Sequence, residues 1–274
     1  MRTIVHLSDI HFGRVDPRIV PRLVDAVRSV APDLVAVSGD LTQRARRSQF
    51  VQARSFLQQL PSPLIVVPGN HDVPLFNIPI RLLDPLRGYR RHINSVLEPE
   101  FFDDEMAVVG LNSARAVLFS GAGRLNEAQV TRAAARLQGA RANAVKIVVT
   151  HHPFDLPEGH GEHHLVGRSA MAMERLSGVG ADLFLAGHLH VSHVGRTAER
   201  YQIAGYSALV VQAGTLSTRQ RGEPNAFNVL RLDRPTIAID RYSWDGDTGG
   251  FRSTPAGEFR HTAGGWIEER AIGG

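Results

Sequence analysis

The chain has 274 residues, of which 43% are hydrophobic and 21% charged, and its formal net charge is +4. This length and composition predict a folded globular protein with an ample core, and they exclude an acidic disordered chain and a low-complexity repeat. Because the sequence contains no cysteine, it also excludes disulfides, thiolate nucleophiles, iron–sulfur clusters and cysteine-bound zinc.

Almost all the basic residues are arginine, since Lys146 is the only lysine. The sequence pI of about 10.1 permits a nucleic-acid surface, but arginines scattered over an enzyme surface account for it as well, so nucleic acid is an alternative partner that we do not favour. The N-terminus, MRTIVHLSDIHFG, turns polar too early for a signal peptide, and no apolar run approaches the roughly 20 residues of a membrane span. We therefore expect a cytoplasmic protein without a membrane partner.

In chain order, six short apolar runs predict β-strands, each ending in a polar or glycine-rich turn, at 3–8, 33–39, 63–69, 106–113, 145–152 and 181–188. Helix-like patterns fill the intervals 17–30, 47–60, 126–139 and 169–177. Asn126 is the predicted N-cap of the third of these helices. The alternation of nearly continuous apolar strands with helices predicts an α/β fold with largely parallel pairing.

The remaining segments are less regular. Residues 74–104, rich in proline, arginine and leucine, predict a helical excursion over one end of the sheet. Its RGYRRH stretch at 87–92 could face a substrate phosphate, a partner subunit or solvent, and a solvated helix face is the commonest outcome. From about residue 191, closely spaced strand-like runs predict a second, more antiparallel sheet. We assign residues 1–244 to the main domain and 245–274 to a glycine-rich C-terminal extension, expected to form a hairpin and a loose tail.

Metal-capable and proton-capable side chains follow the carboxyl ends of several predicted strands. They occur as DIH at 9–11, GD at 39–40, GNHD at 69–72, HH at 151–152 and GHLH at 187–190. Ligands of open α/β sheets bind where such strand ends meet, and residues two apart in an extended chain point to the same side. Asp9 and His11 can therefore face one crevice, as can His188 and His190, with the intervening residue of each pair in the core.

The donors number two aspartates, one asparagine and four histidines, besides His71. This set exceeds the needs of one ion, and its mixture of nitrogen and oxygen donors suits zinc, manganese or iron rather than calcium. Two ions bridged by one carboxylate would use the whole set and could clamp a phosphate for in-line attack. Asn70 fits such a site because its carbonyl oxygen binds metal without adding negative charge near an anionic substrate. Glycines at 39, 69 and 187 would allow sharp turns beside it.

The order of these blocks resembles the signature DxH … GD … GNH[DE] … H … GHxH of the calcineurin-like metallophosphoesterase superfamily. DIH, GD, GNHD, the first His of HHP and GHLH match it over residues 5–190, about two-thirds of the chain. Within the superfamily, LSDIHFG, SGDLT, VPGNHD, THHP and AGHLH look most like bacterial class III cyclic-nucleotide phosphodiesterases and their glycerophosphodiesterase relatives. The resemblance implies an α/β fold in which two mixed β-sheets pack as a sandwich with flanking helices, although the strand pattern would also fit one larger sheet.

The resemblance also implies a role for each matched residue. Seven residues would hold two metal ions: Asp9, His11 and His190 one, Asn70, His151 and His188 the other, with Asp40 bridging both. His152 is the less favoured alternative to His151. His71 would donate a proton to the leaving oxygen or stabilise charge on the phosphate. Asp72 would hydrogen-bond the imidazole of His71 and hold its tautomer.

The implied activity is hydrolysis of a phosphodiester by a hydroxide held between two metal ions (Mn, Fe or Zn), with 3′,5′-cyclic AMP as the leading small-molecule substrate. Glycerophosphodiesters and nucleic acids are the alternatives. A non-catalytic scaffold is a remote one, because scaffold members tend to lose ligands that this chain keeps. Substrate choice would depend on the loops 74–104, 115–124 and 154–168, the last of which contains three histidines. Related phosphodiesterases are often dimers, so the resemblance is compatible with a homodimer.

Overall fold

A computed structural model describes residues 1–116 and 121–270. The strands are β1 (Arg2–Leu7), β2 (Leu34–Val37), β3 (Leu64–Val66), β4 (Glu100–Phe102), β5 (Met106–Gly110), β6 (Val145–Val149), β7 (Leu183–Ala186), β8 (His193–Arg196), β9 (Leu209–Gln212), β10 (Ala226–Asp233), β11 (Thr236–Asp245), β12 (Gly250–Thr262) and β13 (Gly265–Arg270). The helices are α1 (Ile19–Val30), α2 (Arg47–Leu57), α3 (Ile78–Leu83), α4 (Arg87–His92), α5 (Glu127–Gln138) and α6 (Ser169–Ser177). Part of the predicted specificity loop 115–124 lies outside the described residues, as do the last residues of the predicted extension 245–274.

The strands form two mixed sheets. The larger sheet has the order β13-β12-β11-β10-β1-β2-β3, with β1, β2 and β3 parallel, and the smaller has the order β4-β5-β6-β7-β9-β8, with β5, β6, β7 and β9 parallel. The predicted separate antiparallel sheet after residue 191 is wrong, because β8 and β9 join the smaller sheet while β10 and β11 extend the larger one beside β1. The residues of β9 are all buried, which suits an interior parallel position better than a half-exposed antiparallel one.

Alternation along the strands separates three apolar layers. On β1, Ile4 belongs to the core between the two sheets, whereas Val5 packs with the helices on the outer face. This period of two follows from the pleat of a strand. Helices α1 and α2 cover the larger sheet and α5 and α6 cover the smaller one. The predicted sandwich with flanking helices is confirmed.

Local sequence explains where the helices lie. The spacing of Ile19, Leu23 and Val27 places them on the buried side of α1. The side chain of Asn126 accepts a hydrogen bond from the backbone N–H of Gln129, which makes it the N-cap of α5 as predicted. Helices α3 and α4 confirm the helical excursion expected within 74–104. No helix of the described residues is both long and apolar enough to cross a membrane.

The last two strands complete the core between the sheets. β12 and β13 form the expected hairpin and add to the edge of the larger sheet. Trp266 on β13 is only 1% exposed, and its indole N–H donates to Asp182 Oδ1 at 2.9 Å. A buried indole contributes on the order of 2–3 kcal/mol through burial alone. Residues up to Arg270 therefore belong to the larger sheet, where a loose tail had been expected.

Candidate metal centre and active site

The carboxyl ends of five parallel strands bring the predicted donors together. Asp9 and His11 follow β1, Asp40 follows β2, Asn70 follows β3, His151 follows β6, and His188 and His190 follow β7. The aspartates, together with His11, His151 and His190, are at most 3% exposed. Buried carboxylates and imidazoles so close to one another need a compensating charge or hydrogen bond, and their donor atoms form several groups that could hold a metal ion.

The first donor cluster joins the loops after β1 and β7. His190 Nε2 lies 3.2 Å from Asp9 Oδ1 and 3.1 Å from His11 Nε2. His11 Nε2 lies 3.5 Å from Asp9 Oδ1 and 3.6 Å from Asp40 Oδ2. Four donor atoms of Asp9, His11, Asp40 and His190 thus face one point.

The second cluster joins the loops after β3, β6 and β7. Asn70 Oδ1 lies 3.0 Å from His151 Nε2 and 3.2 Å from His188 Nδ1. His151 Nε2 is also 3.4 Å from Asp40 Oδ2. The same carboxylate oxygen of Asp40 therefore borders both clusters, in the arrangement expected of a bridging ligand.

In two of the histidine ligands, the hydrogen bond made by Nδ1 determines that Nε2 faces the centre. His151 Nδ1 donates to the carbonyl of Ser38 at 2.8 Å, and His190 Nδ1 donates to the carbonyl of Arg219 at 2.7 Å. Each ring therefore presents its Nε2 to neighbouring oxygen atoms. With the proton on Nδ1, a neutral ring directs a lone pair at those oxygens, an arrangement that a cation stabilises.

The two carboxylate oxygens of Asp9 likewise have different surroundings. Its Oδ2 accepts hydrogen bonds from Ser8 Oγ at 2.6 Å and from the backbone N–H of His188 at 2.9 Å. Its Oδ1 is buried and has no hydrogen-bond partner among the described residues. Such an orphaned oxygen is costly unless a ligand satisfies it, so the donor set fits a metal ion.

Charge within the clusters shifts the pKa of several members. Burial favours a neutral Asp9, but the neighbouring imidazoles of His190, His11 and His151 together outweigh it and hold the pKa of Asp9 well below its usual range. Burial opposes protonation of His151, yet Asp40 raises its pKa to about 9. Burial lowers the pKa of His188 well below its ordinary value. The carboxylates are therefore anionic, and a proton on His151 occupies the direction in which a cation would bind.

Backbone conformation at the ligands is unusual. Asp9, His11, Asp40, His188 and His190 have φ values of 53°, 50°, 52°, 76° and 62°. A residue other than glycine costs roughly 1–3 kcal/mol in such a sparsely populated region, and such residues concentrate at functional sites. Convergence of Asp9 with His11, and of His188 with His190, thus arises from left-handed backbone rather than from the extended chain predicted, although the intervening Ile10 and Leu189 are buried as expected.

The three glycines beside the ligands serve two purposes. Gly39 has a φ of 92° and makes the predicted sharp turn. Gly69 and Gly187 instead provide space. A Cβ atom on Gly69 would lie 2.1 Å from Asp40 Oδ1, and one on Gly187 would lie 2.3 Å from Asp9 Oδ2.

His152, the less favoured alternative to His151, is fully buried and has both ring nitrogens occupied. Ser113 Oγ donates to its Nδ1 at 2.8 Å, and its Nε2 donates to the carbonyl of Gly121 at 2.7 Å. Burial lowers its pKa to about 3. Its ring also contacts those of His151 and His188, so His152 packs against two predicted ligands without facing the centre itself.

The loop at 154–168 reaches the centre through one histidine. His164 Nδ1 lies 3.3 Å from Nε2 of His188, on the side of that ring away from Asn70. The rings of His160 and His163 lie near that of His164, with centroids 6.5 and 4.1 Å from it. His164 therefore contacts a predicted ligand from outside.

His71, the predicted proton donor, is partly buried beside the first cluster. Its Nδ1 donates to the carbonyl of Gln43 at 2.9 Å, and its Nε2 accepts a hydrogen bond from Arg219 Nη1 at 2.8 Å. Burial lowers the pKa of His71. The ring meets that of His11 edge to face, with centroids 4.7 Å apart.

Asp72 does not orient His71, so this expectation is corrected. Its Oδ1 accepts from the N–H and Oγ1 of Thr42, and its Oδ2 accepts from the N–H groups of Gly69 and Leu41, at 2.9–3.2 Å. Burial and the charge of Asp40 raise its pKa to about 7 against the effect of these bonds. The carboxylate fixes the loops that carry Asp40 and Asn70, and the carbonyl of Gln43 takes the place predicted for it at the imidazole.

Arg219 is the residue of this site that the motifs did not reveal. Its Nη1 lies 2.8 Å from His71 Nε2 and 3.4 Å from His11 Nε2. It follows β9, a further parallel strand whose carboxyl end lies at the same edge of the smaller sheet. That topological position was the only signal of it, because the matched motifs end at His190.

A cavity of about 230 Å³ opens onto the centre. Its lining includes Asn70 and His71 of the centre together with Arg44, Leu75 and Arg81. The guanidinium of Arg81 is buried and donates to the carbonyl of Pro74 at 2.8 Å. The approach to the clusters is therefore positively charged, as an anionic substrate requires.

Two known proteins are similar in sequence to part of this chain. Over 80 residues the chain is 32% identical to the glycerophosphodiester phosphodiesterase GpdQ of Enterobacter lignolyticus, a stretch that spans 25% of this chain and 29% of that protein. Over 82 residues it is 32% identical to a probable cyclic nucleotide phosphodiesterase of Synechococcus sp., spanning 26% of this chain and 32% of that protein. These alignments thus cover about a third of each relative.

Fold comparison agrees over a longer range. The crystal structure of a dimetal phosphatase from Danio rerio matches with a TM-score of 0.64 and 14% identity, covering 93% of this chain and 98% of that one. The sequence model of the calcineurin-like phosphoesterases matches residues 2–192. The chain belongs to the calcineurin-like phosphoesterase family.

Proposed function

We propose that this chain is a dinuclear-metal phosphodiesterase. The observation that carries the proposal is the position of Asp40, whose Oδ2 lies 3.6 Å from His11 Nε2 in one cluster and 3.4 Å from His151 Nε2 in the other. A shared carboxylate oxygen suits two ions roughly 3.5–4 Å apart, the spacing of two-metal phosphoesterase sites.

The donor set supports the assignment of ligands made from the sequence. Asp9, His11 and His190 would hold one ion, Asn70, His151 and His188 the other, and Asp40 both. All donors are nitrogen or oxygen, which suits manganese, iron or zinc. When bound, the ions would supply an activated hydroxide and stabilise the charge that develops on the phosphate.

The residues around the clusters would bind the substrate and assist the leaving group. Gln43 fixes the tautomer of His71 through Nδ1, so Nε2 is the atom that can carry a proton towards the leaving oxygen. A bound anionic phosphate would favour the protonated imidazole, against the burial that lowers the pKa of His71. Arg219, now donating to that same Nε2, would turn its N–H groups to a phosphate oxygen.

For the substrate, 3′,5′-cyclic AMP is the candidate favoured by the motifs, and a glycerophosphodiester is the second. Support comes from the two relatives, one a glycerophosphodiester phosphodiesterase and the other a probable cyclic nucleotide phosphodiesterase. The neutral amide of Asn70 and the arginines of the approach suit a diester anion of either kind.

The proposal is tested with metal-stripped protein and with protein reloaded with Mn²⁺. Each is assayed on cyclic AMP, bis(p-nitrophenyl) phosphate and the monoester p-nitrophenyl phosphate, with Asp40→Asn as the control for contaminating hydrolases. We expect Mn²⁺-dependent turnover of at least one diester, faster than that of the monoester, and none in the control. Absence of diester turnover in reloaded protein with bound metal would refute the phosphodiesterase assignment. Turnover of the synthetic diester without cyclic AMP would keep the chemistry and reject that substrate.

A further inference from the structure

A second, larger cavity of about 620 Å³ adjoins the active-site approach. It lies between the start of α2, the segment from Pro74 to Ile80, and α4. This volume falls within the range of pockets that enclose a small ligand, roughly 300–1,000 Å³. The RGYRRH segment at 87–92, for which a solvated helix face was the commonest expectation, contributes Arg87, Arg91 and His92 to its wall.

The wall of this cavity carries uncompensated positive charge. Its cationic side chains come from two segments, the stretch that leads into α2 and helix α4, and are Arg44, Arg46, Arg47, Arg87 and Arg91. Within residues 1–116 and 121–270, none of the five pairs with a carboxylate, whereas Arg90, which points elsewhere on α4, pairs with Asp84. The lining carboxylate, Asp72, is fully buried and already accepts hydrogen bonds from backbone groups.

Two further observations point to a site for an anion. Burial and the charges of nearby Arg91 and Arg47 lower the pKa of His92. Helix α2 also begins at the cavity without an acidic residue in its first turn, so the positive end of its dipole adds to the same field. A phosphoryl group would relieve this repulsion and could accept paired hydrogen bonds from the guanidinium groups.

The cavity also offers apolar surface for a planar group. Phe50 is only 1% exposed and supports the ring of His92, with ring centroids 6.1 Å apart, so it offers a ligand little surface of its own. Phe76 stands at the rim with 78% of its surface exposed. Aromatic rings beside arginines are the usual environment of a nucleobase next to a phosphate.

The cavity shares part of its wall with the catalytic approach. Arg44 and Leu75 line both, and the consecutive residues His71 and Asp72 line the approach and the larger cavity respectively. A substrate that occupied both cavities would pass Arg44 between the metal clusters and the arginines of α2 and α4.

We propose that the arginine-lined cavity binds a second phosphoryl group of the substrate together with its adjoining base, so that the preferred substrates are short dinucleotides with a terminal phosphate. This inference rests on the proposed phosphodiesterase function and refines it, because cyclic AMP has one phosphate and would leave the cavity empty. With pApA, water adds its oxygen to the bridging phosphorus, the P–O3′ bond breaks, O3′ takes a proton, and two molecules of AMP result.

The test compares two substrates that share one scissile bond, ApA and pApA. Wild-type protein reloaded with Mn²⁺ should hydrolyse pApA with a kcat/KM about tenfold or more above that for ApA, the effect of one charge-assisted hydrogen bond. The double variant Arg47→Gln/Arg91→Gln should bring this ratio close to one. Arg22→Gln/Arg28→Gln on α1 removes the same charge elsewhere and should leave the ratio unchanged. All variants should turn over bis(p-nitrophenyl) phosphate at the wild-type rate.

Binding supplies a readout that does not depend on turnover. Titration calorimetry on metal-stripped wild-type protein should show pApA binding about tenfold or more tighter than ApA, and the preference should disappear in Arg47→Gln/Arg91→Gln. Equal binding of the two dinucleotides, or equal kcat/KM while bis(p-nitrophenyl) phosphate is hydrolysed, would overturn the second site and leave the phosphodiesterase function intact. Loss of all diester hydrolysis with the binding preference retained would overturn the function and keep the site.

Discussion

Replacement of Asp72 by alanine tests whether this carboxylate holds loops together or orients His71. The side chain is fully buried and accepts bonds from three backbone N–H groups, those of Leu41, Thr42 and Gly69, and from Thr42 Oγ1. The hydroxyl of Thr42 keeps the carbonyl of His71 as an acceptor at 3.1 Å. Asp72→Ala therefore leaves three buried donors without an acceptor.

The expected loss follows from those three donors. At about 1–1.5 kcal/mol for each lost bond, unfolding should become easier by roughly 3–5 kcal/mol. For a protein of this size that corresponds to a fall in Tm of roughly 6–15 °C. Asp72→Asn keeps one acceptor oxygen and should lie between alanine and wild type.

Thermal and urea unfolding, combined with turnover of bis(p-nitrophenyl) phosphate by the folded fraction, measure both effects. We expect reduced stability with turnover per folded molecule closer to wild type than that of His71→Ala, since Gln43 rather than Asp72 holds the imidazole. A Tm within about 2 °C of wild type would refute the hydrogen-bond argument. Native stability with turnover lost as in His71→Ala would return Asp72 to the orienting role.

Four other outcomes are expected. His71→Ala should retain metal, measured by plasma mass spectrometry, and lose about 10²–10⁴-fold in kcat; retained turnover would remove His71 from the mechanism. Asp40→Asn should lose metal and activity together, because one oxygen borders both clusters, and full metal content in this variant would contradict the bridging role. Arg219→Gln should keep metal, since the backbone carbonyl that accepts from His190 remains and the guanidinium near His11 contributes only positive charge to the site, but it should lower kcat/KM by roughly 10–100-fold, with Arg219→Lys restoring part of it; an unchanged value would place Arg219 outside substrate binding. Trp266→Ala should reduce the free energy of unfolding by roughly 3–5 kcal/mol in urea titration, and an unaffected midpoint would show that the hairpin of β12 and β13 is dispensable.

The gathering of the donor residues at the strand ends could be predicted, because parallel pairing leaves few other arrangements of these strands. Apolar runs such as 145–152 must be buried on both faces, so the polar residues that follow them have to gather at one edge of a sheet. Asp9, Asp40 and His151 are near neighbours for this reason. The left-handed backbone of Asp9 and Asp40 had no counterpart in the pattern, since residue identity alone does not report φ at an aspartate.

Other features depend on contacts between segments far apart in sequence. The strands β9 and β10 are both apolar and consecutive along the chain, yet they enter different sheets, and hydrophobic periodicity does not indicate which sheet a strand joins. Arg219 reaches His71 across 148 positions of the chain. Asp72 likewise bonds the neighbouring loop at 41–42 rather than the adjacent side chain, because a carboxylate two bonds from the backbone is closer to those N–H groups than to the ring beside it.

The two donor clusters draw on both sheets. His190, from the smaller sheet, lies with Asp9 and His11 of the larger sheet, while Asn70 of the larger sheet lies with His151 and His188 of the smaller. Ions bound there would cross-link the sheets, so a chain whose sheets had not yet packed could offer neither complete cluster. Metal binding would then indicate that the two sheets have packed together. A free-ion concentration a thousandfold above Kd would raise the free energy of unfolding by about 4 kcal/mol. The supply of metal would therefore set the stability of the packed sheets as well as the rate of turnover.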